Sequence, residues 1–229
     1  APVDIQFHGK ASHAASAPEK GINALDAVIA VYNSVNALRQ HLTSDVRIHG
    51  IITHGGDVPN VVPDYAAAKF YLRAATAPSL DAVYQKVENI VRGSALATGA
   101  AGSMTPSQNR VDNTVITPSF DAVYQEELSA FGFTAEPASS VKSIGSTDVG
   151  NVSQVVPTIQ PQIRISDTPI AGHTEAFKKA AGSQKGLDSI ALGGEVLARV
   201  ALRLITEPDL LKAIQAEHRV QVARQSNPG

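Results

Sequence analysis

Seven histidines and no cysteine bound the chemistry open to this chain. Thiolate ligation, thiol nucleophiles and disulfides are excluded, so any metal or acid–base site must use imidazole and carboxylate. No HExxH, HxH or HxD occurs, and so the chain carries no self-contained metal motif. His41 and His218 fall in amphipathic helical stretches and are expected to be solvated. His49 within a strand and His8 at a strand end fit structural roles. His54 stands beside Gly55 and Gly56, where residue type alone does not separate function from chance. Two histidines have more specific surroundings. His13 lies in GKASHAASAPEKGINALDA and His173 in GHTEAF, each on a loop between regular elements. On residues alone each reads equally as a turn residue or a site residue.

The elements that must hold these loops are legible in the hydrophobic pattern. Val3, Ile5 and Phe7 alternate with polar residues, the period of a half-buried strand. Asn23, with Asp26 three residues on, marks a helix start. Leu25, Val28, Ile29, Tyr32, Val35, Leu38 and Leu42 then form a 3.6-residue stripe. Val46–Thr53 and Tyr65–Ala74 read as strands separated by a GGDVPN turn. On the second of these, Tyr65, Lys69, Tyr71 and Arg73 fall on one face and Ala68, Phe70 and Leu72 on the other. A helix capped by Ser79, with Leu80, Val83, Val87, Ile90 and Val91 inside, leads to a short strand over Gly102–Pro106. This β-α-β-β-α-β order predicts a ferredoxin-like α+β domain over residues 1–111. The remainder, 112–229, predicts a helix over Pro118–Phe131, an apolar strand over Thr158–Ile165 and a buried helix over Gly186–Ile205. A last helix is expected to start from Thr206. One or two strands are too few for a sheet, so this α/β half reads as incomplete. PSLDAVYQ at Pro78 and PSFDAVYQ at Pro118 read as two similar helix starts using Ser caps and early Asp, not as a repeat architecture.

Composition excludes several partners. A net charge of −2 and a pI near 6.4 give no electrostatic reason for nucleic acid or an anionic membrane. The apolar stretch Ile190–Ile205 is broken by Gly193, Gly194, Glu195, Arg199 and Arg203, which fits a soluble helix rather than a membrane span. The opening APVDIQFHG is no signal peptide. Zero cysteines fit a reducing compartment, and the expectation is a cytoplasmic protein. A start inside a strand-like run, without methionine, suggests a piece of something longer.

FHGKASHAASAPEKGINALDA, RIHGIITHGGDVPNVVPDY and KFYLRAAT together resemble the lid domain of the dinuclear-zinc aminoacylase, glutamate-carboxypeptidase and dipeptidase family. GSTDVGNVSQVVPTIQPQI, GHTEAF and AAGSQ resemble the C-terminal piece of that family's catalytic domain. The similarity runs from about Val3 to Glu217. It is strongest to the amidohydrolase branch with p-aminobenzoyl-glutamate hydrolases and dipeptidases for dipeptides ending in basic residues. The resemblance implies a homodimer formed through the lid. It implies that His13 reaches into the partner's active site and donates a hydrogen bond to the oxyanion, typically worth about 3–4 kcal/mol of barrier. Asn60 and Arg73, thirteen residues later, match a pair that grips the substrate carboxylate. Without the family, a solvated arginine on an exposed face fits Arg73 as well. Gly145, Ser146 and Thr147 match a loop lining the site, and His173 matches the terminal metal ligand. Asp148 is not assigned to the metal, because an Asx-turn or capping role fits it equally.

The resemblance further implies two zinc ions per complete site, with manganese or cobalt as alternatives, and hydrolysis of an amide bond in a small dipeptide or N-acyl amino acid. The family's other metal ligands and its catalytic Glu lie before the lid and have no counterpart here. The chain alone is therefore expected to be inactive and to need that N-terminal catalytic part as a partner. Gln160 and Gln162 stand where close relatives often read His-Pro-Tyr, which leaves the substrate side chain open. A second reading is a non-catalytic dimerisation or regulatory module derived from such an enzyme.

Overall fold

The computed structural model of the chain describes residues 1–135 and 146–226. It divides into two units, Ala1–Asn113 and Thr114–Gly229. In the first, β1 (Pro2–His8), α1 (Ala24–Arg39), β2 (Arg47–His54), β3 (Tyr65–Arg73), α2 (Ala77–Thr98) and β4 (Ala101–Pro106) follow in chain order. The strands form one antiparallel sheet in the order β2-β3-β1-β4. β3 is thus inserted between β1 and β2, the split arrangement of a ferredoxin-like fold.

Alternation decides the faces of this sheet. Val3, Ile5 and Phe7 of β1 and Ala66, Ala68, Phe70 and Leu72 of β3 turn into one core with both helices. α1 contributes Ala24, Ala27, Val28, Val31 and Val35, and α2 contributes Leu80, Val83, Val87 and Val91. Valine in a helix loses about half a kcal/mol to side-chain stiffness, whereas burying it returns about 1.5 kcal/mol or more. Packing therefore wins. At the start of α1 the Asn23 side chain accepts the N–H groups of Leu25 and Asp26, at 2.9 and 3.4 Å. α2 departs from expectation: Thr76, not Ser79, is its cap, and the Ser79 N–H donates to the Thr76 hydroxyl at 3.3 Å. Gly99, at φ +76°, closes α2 in the left-handed region and donates to the Ala95 carbonyl at 2.9 Å.

The second unit contains α3 (Pro118–Ser129), α4 (Val149–Ser153), α5 (Glu175–Ala181), α6 (Gln184–Thr206) and α7 (Pro208–Ser226). Val123, Tyr124, Leu128, Val196, Val200 and Ile214 make its core. Arg203 of α6 ties down α3 by ion pairs to Glu126 and Glu127, at 2.7 and 3.4 Å. The two PS(L/F)DAVYQ segments do begin helices, although the capping positions are held by Thr76 and Thr117 rather than serine.

Three expectations for this unit are corrected. Residues 158–165 form no strand, because a strand exists only where its N–H and C=O groups find a partner and none pairs with them among the described residues. α6 is buried along one stripe only, through Val196 and Val200; Leu187, Ile190 (70% exposed), Leu197, Leu202 and Ile205 (78% exposed) face outward. Thr206 closes α6 instead of capping α7, its hydroxyl donating back to the Leu202 carbonyl at 2.9 Å.

At the start of α3 the Ser119 N–H donates to the Glu217 carboxylate at 2.9 Å. Asp121 shares this end of the helix. Burial, and secondarily the charge of Glu217, push its carboxyl above the usual range. A carboxyl raised on folding makes the folded state favour the protonated form, so its contribution weakens as pH rises through the folded value. Asp121→Asn is therefore expected to raise the unfolding midpoint at neutral pH, and the gain should shrink towards about pH 4, near the ordinary carboxylate value. Thermal unfolding of both forms across that range checks this.

Candidate functional site

The loop carrying His13 is an extension of the β1–β3 ladder. Beyond the His8–Tyr65 pair, the Gly9 N–H donates to the Asp64 carbonyl at 2.7 Å, and the Val62 N–H to the Ser12 carbonyl at 2.9 Å. His13 then bridges Val61, and the Ala14 N–H donates to the Asn60 carbonyl at 3.0 Å. Lys10 and Ile22 exchange a reciprocal pair of 2.9 Å bonds across the loop. Gly9 permits this crossing, since a Cβ there would stand 2.0 Å from the Ile22 carbonyl oxygen. The Ala17 N–H donates to the His13 carbonyl at 3.0 Å, closing one helical turn. Inside that turn the N–H groups of Ala15 and Ser16 both donate to His13 Nδ1, each at 3.2 Å. His13 itself is exposed.

The fold brings His13 and Asn60 together and places Arg73 elsewhere. Asn60 precedes the Tyr65 end of β3, while Arg73 ends that strand, roughly 26 Å along it at about 3.3 Å per residue. Arg73 stands on the exposed face in register with Arg47 of β2, next to the His49–Tyr71 pair, whose rings stack at 5.8 Å. His8 and His54 flank Tyr65 at 5.0 and 5.2 Å between ring centroids, at the other end of the same face.

In the second unit, Gly145 lies outside the described residues. Thr147 accepts the Val149 N–H at 3.3 Å and the Gln160 side-chain amide at 3.2 Å, which fixes the start of α4 after Ser146. Asp148 holds the N-cap position of α4 without a side-chain capping bond. His173 is exposed, one residue before the Thr174 cap of α5, at φ +61°. A β-carbon costs roughly 1–2 kcal/mol in that region, and residues held there cluster at functional sites. Among the described residues no three His, Asp or Glu side chains are grouped to hold a metal ion. His173 by itself does not fit a zinc centre, and no step is assigned to metal on this chain.

Sequence reasoning missed the anchor of this loop. His218, expected to be solvated, is only 4% exposed: α7 turns it inward, and its Nε2 lies 2.7 Å from the Ser153 carbonyl oxygen. The Ser153 hydroxyl accepts the Val115 N–H at 2.9 Å and donates to the Gly150 carbonyl at 2.6 Å. Ser153, at the end of α4, is thus held from both sides. Nothing in the local pattern around His218 distinguishes it from a surface residue.

Residues 1–98, from β1 through the last turn of α2, match the peptidase dimerisation domain. Over 222 residues the chain is 36% identical to an Xaa-Arg dipeptidase of Mus musculus, an alignment covering 96% of this chain and 51% of that protein. This chain belongs to the M20 amidohydrolase and dipeptidase family. Its dimerisation domain is also 37% identical, over 94 residues, to a p-aminobenzoyl-glutamate hydrolase chain of Escherichia coli (strain K12), covering 41% of this chain and 20% of that one. Among solved structures, an aminobenzoyl-glutamate utilization protein from Klebsiella pneumoniae shares the fold with a TM-score of 0.61 at 22% identity, over 88% of this chain and 47% of that one. The chain spans about half the length of the curated relatives it matches along its whole length. His13, Asn60 and Arg73 lie within the dimerisation domain; Ser146, Thr147 and His173 lie beyond it.

His218→Leu is expected to destabilise the second unit by about 1–3 kcal/mol, the cost of leaving the buried Ser153 carbonyl without its partner. Denaturant unfolding of the variant measures this, and an unchanged midpoint would mean that the anchor carries no weight.

Proposed function

We propose that this chain is the lid and part of the catalytic domain of a hydrolase cleaving an amide bond in a small dipeptide or N-acyl amino acid. The observation that carries the reading is the His13 turn. An exposed imidazole is held by main-chain bonds to a strand of the dimerisation domain, so it is presented outward at a fixed place. A donor preplaced in this way can stabilise the oxyanion formed when water adds to an amide carbonyl, provided it meets the site of a partner. The names of the relatives, an Xaa-Arg dipeptidase and a p-aminobenzoyl-glutamate hydrolase, support amide hydrolysis in small substrates.

Homodimerisation through the lid is part of the proposal. β2 is an edge of the sheet, and it exposes Ile51 (64%) and Ile52 beside an exposed Ile29 on α1, an apolar edge suited to pairing with a second copy. The length of β3 then distributes the work. Asn60 and Arg73 of one lid stand too far apart to hold one carboxylate, so each site takes Arg73 from one lid and the His13–Asn60 edge from the other. Arg73 binds the substrate carboxylate through its planar fork. Ser146 and Thr147 line the reacting group, and His173 gives one ligand to a zinc site whose remaining ligands come from the N-terminal catalytic part.

A second reading, a non-catalytic dimerisation module, is favoured by one observation: the described residues do not group three metal-ligating side chains. Kinetics on the complete enzyme separate the two. His13→Ala is expected to lower kcat by about 10²–10³ with a smaller change in KM, the effect of losing one oxyanion donor. Arg73→Ala is expected to act mainly by raising KM. Absence of amidase activity in the metal-loaded complete protein would favour the module.

A further inference from the structure

The bonds around His13 specify more than its position. We propose that the backbone N–H groups of Ala15 and Ser16 lock the neutral imidazole as the tautomer with its hydrogen on Nε2, which makes these two residues positioning residues for the oxyanion donor. Both N–H groups lie 3.2 Å from Nδ1, so this nitrogen must present its lone pair. A hydrogen on Nδ1 would point at two donors and forfeit both bonds. Nε2 is the ring nitrogen left for the outside, and it carries a hydrogen to give.

The lock is built by chain geometry, with no carboxylate or second side chain holding the ring. The turn from His13 to Ala17 places the two N–H groups one and two residues past Ala14. That turn is oriented by the Ala14–Asn60 bond and the His13–Val61 bridge. Asn60 therefore helps to aim His13 through its main chain, apart from anything its side chain does. The functional meaning of the lock rests on the reading of His13 as an oxyanion donor; the tautomer does not, and it is open to direct observation.

Nitrogen NMR of the imidazole rings tests it on the chain as it stands, at about pH 8.5, where an ordinary histidine is neutral. The exposed His41 is the internal reference. His13 is expected to show unprotonated Nδ1 and protonated Nε2, with the other tautomer at least tenfold scarcer than at His41. Ser16→Ala, which keeps the N–H, should leave the spectrum unchanged, whereas Ser16→Pro, which deletes it, should bring back the minor tautomer. The same tautomer mixture at His13 and His41, or a protonated Nδ1 at His13, overturns the proposal without needing any variant to fold. If the lock is seen but His13→Ala leaves kcat of the complete enzyme unchanged, the lock stands and the oxyanion role fails.

Discussion

Everything in the first unit is measured from the antiparallel ladder between β1 and β3. Its pairs run from Pro2–Tyr71 to His8–Tyr65, and main-chain bonds carry it onward to the His13–Val61 bridge. A slip of one residue would turn Phe70 and Leu72 outward and bury Lys69, Tyr71 and Arg73. The hydrophobic core forbids that slip. The same core that stabilises the sheet therefore sets which face Arg73 occupies and where the His13 turn begins. Rigidity at one end and an outward-facing cation at the other follow from a single register.

The first unit was readable because its signals are local. Alternation in PVDIQFH and YAAAKFYLR, the Asn23 cap and the 3.6-residue stripes each act within a few residues of where they are written. The error at Ser79 is of one turn: threonine and serine both offer a hydroxyl, and the choice fell to Thr76, whose backbone is extended at φ −131° and ψ 156°. The second unit was harder for the opposite reason. Residues 158–165 carry strand-like composition, but a strand depends on its partner, and composition cannot supply one. Apolar residues all round α6 predict burial on every side, whereas the described residues cover one stripe.

The site divides in the same way. His13, Asn60, Arg73, Ser146, Thr147 and His173 came from motif resemblance, which names residues without giving their geometry. That Asn60 and Arg73 stand at opposite ends of β3, and that His13 Nδ1 is engaged by its own turn, became visible only in the folded chain. His218 shows what resemblance and periodicity both leave out. Its role depends on a 2.7 Å contact with Ser153, 65 residues away in sequence, which no local pattern encodes. His173 at φ +61° is the clearest mark of function in the second unit, because a backbone position suited to glycine holds an imidazole instead.

The central claim is that His13 of one protomer serves the active site of the other. The most direct measurement mixes two variants of the complete enzyme, His13→Ala and His173→Ala, each expected to be inactive alone. In a mixed dimer the His173→Ala protomer supplies an intact His13 to the site that still has its metal ligand. Activity should return to roughly a quarter of the wild-type level when protomers exchange at random. No recovery on mixing, with dimer exchange verified, would contradict the account.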